Sequence, residues 1–175
     1  DMAFPKLNMT SYWCYFIGGV VMLLSFGGNS ILGPSGIFEG FPPNSGWTSY
    51  APLSVLSKGI GQDLWLIGMI FLITSSLLGS TNIIVTIVQL RAKGLTWMRL
   101  PFFVWAQLVT SFLLLLAFPP LEVAGIFQLL DRVIGTGFFQ AFGHGTGEYL
   151  AGSLGSVLLY QHLFWFLAHP EVYVL

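Results

Sequence analysis

Three residues near the carboxyl end of the chain combine the side-chain types that bind metals and move protons. His169, Glu171 and Tyr173 surround Pro170, and residues 149–168 before them contain no Asp, Glu, Lys or Arg. A charged residue at the centre of a membrane helix costs about 3 kcal/mol on insertion scales. A carboxyl group retained next to such an apolar run therefore indicates a function.

Helical geometry places the histidine and the tyrosine on one face and the glutamate on the other. A helix advances about 100° per residue, so His169 and Tyr173, four positions apart, lie one turn from each other. Glu171 lies two positions from His169, about 200° around the axis. Pro170 removes a backbone donor and crowds the carbonyl of Phe166, which predicts a local kink.

This arrangement suits redox and proton chemistry. A neutral imidazole is the commonest side-chain metal ligand, and a phenol one turn away is placed to donate a hydrogen bond, a proton or an electron. A buried carboxyl group favours its protonated form, so Glu171 can pass protons on without a permanent charge. The alternative is that His169 bonds a neighbour and binds no metal. Metal sites need three or four ligands, and the chain shows no obvious set.

The composition predicts a membrane protein. Hydrophobic residues make up 55 % and charged residues 7 % of the 175 residues, against about 25 % charged in an ordinary soluble domain. The net charge of −1 argues against a nucleic-acid partner, which needs a basic face. The single cysteine, Cys14, excludes an intrachain disulfide.

About 20 apolar residues cross a bilayer as a helix, and four segments reach that length: residues 9–32, 64–90, 101–128 and 156–175. The predicted fold class is all-α, a polytopic transmembrane helix bundle with four spans in one membrane-embedded unit. The chain begins with Asp, and its last span stops inside an apolar run, so we expect an internal fragment of a larger subunit. Gly-rich stretches at 33–57 and 135–155 connect spans on one side.

Basic residues predict the orientation of the bundle. Four of them fall on one side and two on the other: Lys6, Arg91, Lys93 and Arg99 against Lys58 and Arg132. The positive-inside rule assigns the richer side to the cytoplasm or the matrix. The Gly-rich stretches then face outward.

A second carboxyl group follows a proline pair late in the third span. Pro119 and Pro120 are expected to loosen the helix there, because each lacks a backbone donor. Glu122, two residues later, is then expected near the outer interface as a solvated residue at a helix end. A proton-release or ion-pair role for Glu122 is the alternative.

Four stretches, in chain order, resemble subunit I of the haem-copper oxygen reductases, the cytochrome c oxidase family. The opening DMAFPKLNM is similar to that subunit's third helix, and SSLLGSTN, residues 75–82, is similar to its fourth. LPFFVWAQLVTSFLLLLAFP, from Leu100, is similar to the fifth, and YQHLFWFLAHPEVYVL, from Tyr160, to the sixth. The resemblance covers the whole chain and is to the A-type branch of the family.

The resemblance implies a role for each matching position. His169 corresponds to a ligand of the copper ion CuB, and Tyr173 to a tyrosine covalently joined to that histidine, which donates a proton and an electron as the O–O bond breaks. Glu171 corresponds to the carboxyl at the inner end of the D proton pathway, and Asp1 to the pathway entrance. Polar residues lining the water chain between them correspond to Asn8, Ser75, Ser76 and Asn82.

Helical spacing is compatible with such a pathway. Asp1 and Asn8 are seven positions apart, as are Ser75 and Asn82, so each pair shares a helix face. The alternative is that these small polar residues only form hydrogen bonds across helix contacts, as in other membrane bundles.

The resemblance implies part of the catalytic subunit of a terminal respiratory oxidase, which reduces O2 to water at a haem–CuB centre and pumps protons. The axial ligands of both haems and the other CuB histidines are expected outside this chain, so the fragment alone is expected to be inactive. The implied partners are subunits II and III, O2, membrane lipid, and cytochrome c or quinol as electron donor. Departures from the usual family residues, at Lys6, Met9 and Ala168, favour a bacterial cytoplasmic membrane over the mitochondrial inner membrane.

Two other functions stay open. A metal-free proton-conducting transporter or channel accounts for the polar residues and for Glu171. It leaves the four-residue spacing of His169 and Tyr173 unexplained. A nitric-oxide reductase relative is the second, although such proteins usually lack the paired Asp1 and HPEVY features.

Overall fold

The computed structural model describes residues 2–31, 42–57, 59–139 and 155–174, without the side chains of residues 28–31. Within these ranges the chain forms helices and connecting segments and no strand, which confirms the all-α prediction. The helices are α1 (Pro5–Ile31), α2 (Leu53–Leu56), α3 (Ile60–Gln89), α4 (Phe102–Val133) and α5 (Val157–Val174), with a 3-10 turn at Trp97–Arg99.

Three of these helices are long and apolar enough to cross a membrane: Pro5–Gly27 of α1, Ile60–Gln89 and Phe102–Val133. They overlap the first three predicted spans. A helix satisfies its backbone hydrogen bonds internally, as the hydrocarbon of a bilayer requires. The fourth predicted span coincides with α5, and a membrane crossing there stays a prediction.

The helix α4 continues through its proline pair. Pro119 and Pro120 lie inside α4, which runs on to Val133. The two missing donors leave the carbonyls of Leu115 and Leu116 without their usual partners, yet the helix does not end. The expectation that Glu122 lies at a helix end is therefore wrong, because eleven residues of α4 follow it.

The long helices pack in chain order, α1 on α3, α3 on α4, and α4 on α5. Glycines allow the closest approach between α1 and α3. A Cβ atom added at Gly68 would lie 3.0 Å from the Gly18 carbonyl oxygen, and one added at Gly18 would lie 3.0 Å from the Gly68 carbonyl oxygen. Small residues at such contacts let membrane helices pack backbone against backbone.

The hydrophobic core lies where α4 and α5 meet the segment 42–57. Tyr160 is almost fully buried there, and its hydroxyl donates to the Thr48 carbonyl at 2.8 Å. The core thereby ties the start of α5 to the connection that precedes α3. Its buried members are Ala51, Val55, Ile73, Ala117, Leu121, Ala124, Phe139, Tyr160, Phe164, Leu167 and Ala168.

A buried polar network joins the same connection to α3 and α4. Gln128 is fully buried; its amide donates to the Ser49 carbonyl at 2.8 Å, and its Oε1 accepts from the Ser49 hydroxyl at 3.0 Å. Gln62, also fully buried, donates to the Ser49 hydroxyl at 3.0 Å and accepts from Ser45 at 2.8 Å. Buried polar groups that are fully bonded make a helix contact specific, since any shift leaves them unpaired.

Candidate functional site

The histidine and the tyrosine that suggest redox chemistry are in direct contact on α5. The His169 Nε2 atom lies 2.8 Å from the Tyr173 hydroxyl oxygen, and the two rings meet edge to face with centroids 5.2 Å apart. The contact arises because α5 remains helical through Pro170 to Val174. Both side chains are exposed, Tyr173 by 67 %.

His169 fits a metal site as one ligand. The phenol occupies Nε2, which leaves Nδ1 as the nitrogen for a metal ion. Among the residues that the structure describes, no group of three or more His, Cys, Asp or Glu is placed to hold a metal. A complete ligand set therefore requires groups beyond the described ranges.

Glu171 is exposed on α5, beside Pro170. The burial expected for its carboxyl group is not provided by the helices packed here. Desolvation of Glu171 would have to come from surroundings other than α1 to α4.

The described part of the predicted proton path begins at α1 and α3. Asp1 lies outside the described residues, and Asn8 is exposed. Asn82 is fully buried: its Oδ1 accepts from the Phe4 backbone N–H at 3.0 Å, and its Nδ2 donates to the Phe4 carbonyl at 3.2 Å. Asn82 thus holds the segment before α1 against α3.

Ser75 makes the second polar contact between these helices. Its hydroxyl donates to the Ser11 carbonyl at 2.7 Å, and the Ser11 hydroxyl donates to the Ser75 carbonyl at 2.8 Å. Ser76 instead donates to the Leu72 carbonyl of its own helix at 3.1 Å. Ser75 and Asn82 therefore lie on the side of α3 that faces α1, and each makes hydrogen bonds across that contact.

Sequence reasoning missed the charged residues that close the opposite end of the bundle. Arg132 Nε contacts Asp63 Oδ1 at 2.5 Å, and Asp131, fully buried, accepts from the backbone N–H groups of Phe138 and Phe139 at 2.9 and 2.8 Å. The sequence held a partial signal, which brings the two helix ends together but does not specify which side chains pair. Asp63 directly precedes the predicted span 64–90, and Arg132 follows shortly after the predicted span 101–128. Consecutive spans run antiparallel, so these two ends lie on the same side of the bundle.

Comparison of the sequence with known proteins places the chain in a family. The family model described as Cytochrome C and Quinol oxidase polypeptide I matches residues 1–175. The heme-copper oxidase subunit I+III of Aeropyrum pernix is 44 % identical over 177 residues, which cover 100 % of this chain and 19 % of that protein. The cytochrome c oxidase subunit 1 of Bacillus subtilis is 41 % identical over 175 residues, covering 100 % of this chain and 25 % of that protein.

A third relative is the alternative cytochrome c oxidase subunit 1 of Bradyrhizobium diazoefficiens. It is 41 % identical over 178 residues, covering 99 % of this chain and 28 % of that protein. The chain thus spans between 19 % and 28 % of the length of these relatives.

Proposed function

The chain belongs to the cytochrome c and quinol oxidase polypeptide I family, and from this premise we propose that it is part of the catalytic subunit of a terminal respiratory oxidase. The complete subunit reduces O2 to water at a haem–copper centre and couples this reaction to proton pumping. The observation that carries the proposal is the contact between His169 and Tyr173 at 2.8 Å, in a chain whose relatives are named as oxidases.

His169 is proposed as one ligand of the copper ion CuB, through Nδ1. The open face of α5 supports this role, because the imidazole is exposed and its other nitrogen already contacts the phenol. Copper and haem, when bound, supply the binding and reduction of O2. The axial haem ligands and the remaining CuB ligands are proposed to lie outside this chain.

Tyr173 is proposed to be covalently joined to His169 in the mature enzyme and to donate a proton to the reaction from its hydroxyl group. The support is geometric, since a helix turn holds the two rings edge to face with centroids 5.2 Å apart. A phenol held in this way needs no further motion of the backbone to reach the imidazole.

The proton path is proposed to enter at Asp1 and to end at Glu171, lined by Asn8, Ser75, Ser76 and Asn82. Its support is the burial of two polar side chains within a membrane-spanning helix: Asn82 is 0 % and Ser75 is 6 % exposed. Polar residues inside membrane spans mark ion and proton pathways, because they are costly elsewhere. The hydrogen bonds that they make to α1 are compatible with this role and also explain why they are buried.

The partners are proposed from the same family. Subunits II and III are proposed to complete the enzyme, and one relative is itself named as a subunit I+III. Cytochrome c or quinol is proposed as the electron donor. A bacterial cytoplasmic membrane is proposed as the location, since Bacillus subtilis and Bradyrhizobium diazoefficiens supply close relatives.

The test is mass spectrometry of the intact, active oxidase after proteolysis. We expect one cross-linked peptide species that contains both His169 and Tyr173. In Tyr173→Phe, we expect both this species and O2 reduction to be lost. Tyr160→Phe is the matched control, because Tyr160 lies on the same helix but bonds to the Thr48 carbonyl instead. The proposal would be contradicted if His169 and Tyr173 were not cross-linked in active enzyme. It would also be contradicted if the complete subunit held no copper, which is what a metal-free channel predicts.

A further inference from the structure

Glu122 lies in the middle of the bundle, in contact with α3. Its Oε1 atom is 2.7 Å from the hydroxyl oxygen of Thr74. Thr74 stands 14 residues after the start of α3 and 15 before its end, which is about 21 and 22 Å from the two ends at 1.5 Å per residue. Glu122 is about 16 Å from the end of α4 on the same measure. The carboxyl group therefore meets α3 at the middle of that helix and lies well inside α4, and both helices are apolar and long enough to cross a membrane.

Among the residues that the structure describes, no Lys, Arg or His forms an ion pair with Glu122. Within the described ranges the only ion pair is the one between Arg132 and Asp63. The residues on either side of Glu122 along α4, from Ala117 to Leu121 and from Val123 to Phe127, carry no polar side chain. A carboxylate at such a place would cost about 3 kcal/mol, and a carboxyl group without a partner charge neutralises instead.

The hydrogen bonds of Thr74 indicate which group carries the proton. The Thr74 hydroxyl lies 2.8 Å from the Ile70 carbonyl oxygen as well as 2.7 Å from Glu122 Oε1. A hydroxyl has one proton and two acceptor lone pairs, whereas both a carbonyl and a carboxylate can only accept. One hydroxyl proton shared between two acceptors gives two weak bonds, so two contacts this short favour a second proton on the carboxyl group.

The other threonine hydroxyls of α3 indicate where the Thr74 proton goes. Thr81 donates to the Leu77 carbonyl at 2.9 Å, and Thr86 donates to the Asn82 carbonyl at 2.6 Å. Each hydroxyl bonds to the carbonyl four residues earlier, which is the usual bond of Thr inside a helix. If Thr74 does the same to Ile70, its oxygen remains free to accept from Glu122.

We propose that Glu122 and Thr74 form an intramembrane proton-binding site, in which the carboxyl group stays protonated and donates to the Thr74 hydroxyl, and that a hydrophobic carbodiimide modifies Glu122 at this site. The site is separate from Glu171, which lies on α5. It does not depend on the proposed oxidase activity, so either proposal can fail without the other.

The modification needs only the protonated acid and the reagent. The carboxyl O–H adds across one C=N bond of the carbodiimide: a C–O bond forms, the carboxyl proton moves to nitrogen, and no group leaves. Transfer of the acyl group from oxygen to the second nitrogen then gives a stable N-acylurea of the same mass. Glu122 is half-buried, so part of its side chain is open to a reagent dissolved in the bilayer.

The first test treats the intact oxidase in its membrane with dicyclohexylcarbodiimide, followed by proteolysis and mass spectrometry. We expect one reagent equivalent on Glu122 and none at this position in Glu122→Gln. A permanently charged, water-soluble carbodiimide is expected to leave Glu122 unmodified. Absence of the Glu122 adduct in a preparation where the hydrophobic reagent modifies another carboxyl would overturn the proposal.

The second test is infrared spectroscopy, which reads the protonation state directly. Glu122→Gln is expected to remove a C=O stretching band of a protonated carboxyl. Thr74→Val, which keeps the shape but removes the hydroxyl, is expected to shift that band to higher frequency. Thr81→Val is the matched control, because Thr81 makes the same bond within α3, to the Leu77 carbonyl, but none to Glu122, and this variant should leave the band in place. Loss of carboxylate bands in Glu122→Gln would show the proposal to be wrong.

Discussion

Arg132 and Asp63 join the last turn of α4 to the first turn of α3, with 2.5 Å between Nε and Oδ1. The Arg132 side chain is only 5 % exposed. Its Nη1 donates to the Ser57 carbonyl at 2.6 Å, and its Nη2 donates to the Gly59 carbonyl at 3.0 Å. The charges also suit their helices, since a carboxylate is favoured at a helix start and a cation at a helix end. One guanidinium group thus holds together two helices and the connection before α3.

Arg132→Met should therefore destabilise this end of the bundle. Removing one partner of a fully buried ion pair costs about 3–5 kcal/mol, because the other charge is left uncompensated; the cost here should be smaller, since the Asp63 side chain is 25 % exposed to solvent. We expect a lower thermal midpoint of the intact enzyme in detergent. Arg132→Lys keeps the charge but loses the planar fork of donors. Its thermal midpoint should therefore lie between those of the wild type and Arg132→Met. A wild-type midpoint for Arg132→Met would contradict this account.

Asp131→Ala should loosen the chain that follows α4. Asp131 is fully buried and accepts hydrogen bonds from the backbone N–H groups of Phe138 and Phe139. Each donor left without a partner costs about 1–3 kcal/mol. Hydrogen exchange followed by mass spectrometry should show faster exchange at these two amides. Thr136→Val is the control: it removes only the hydroxyl bond to Asp131, at 2.6 Å, and should leave both amides protected. Unchanged exchange in Asp131→Ala would show that Asp131 does not hold these two amides.

Two neighbouring glycines of α1 should respond to alanine in opposite directions. A Cβ at Gly18 would lie 3.0 Å from both the Gly68 carbonyl oxygen and Phe71 Cβ, whereas a Cβ at Gly19 meets nothing within 4 Å. Overpacking a close contact costs about 1–3 kcal/mol, so Gly18→Ala should lower the thermal midpoint. Gly19→Ala should raise stability by up to about 1 kcal/mol, as Gly to Ala does inside a helix. Equal thermal midpoints for Gly18→Ala and Gly19→Ala would show that the close contact between α1 and α3 does not contribute to stability in this way.

Glu171→Gln should stop proton delivery in the intact enzyme while its metal content is preserved, because an amide has no acidic proton to pass on. The measurement is proton uptake during turnover, followed with a pH indicator, beside metal analysis of the same sample. Glu171→Asp is the control: it keeps an acidic proton at the same position of α5, so uptake should be retained there in part. Near-normal uptake in Glu171→Gln would remove Glu171 from the proposed path.

Local rules predicted much of the site. The contact of His169 with Tyr173 follows from a four-residue spacing in a helix, and a helix needs only bonds between residues four apart. Those same rules misplaced Glu122, because the proline pair was expected to loosen the helix and to leave Glu122 as a solvated residue near its end. The helix α4, which packs against both α3 and α5, instead stays helical past Pro120 to Val133, and the Glu122 carboxyl group contacts Thr74 of α3.

The sequence by itself determined the helices and the facing pair on α5, since apolar length and residue spacing are properties of one segment. Only the tertiary structure decided that Arg132 meets Asp63, that Gln128 meets Ser49, and that Glu122 meets Thr74. These partners are 69, 79 and 48 positions apart, and their distance along the chain carries no information about contact. The physical reason is that such pairs depend on how deeply and at which register the helices pack, which here is set by close contacts such as that between α1 and α3 at Gly68.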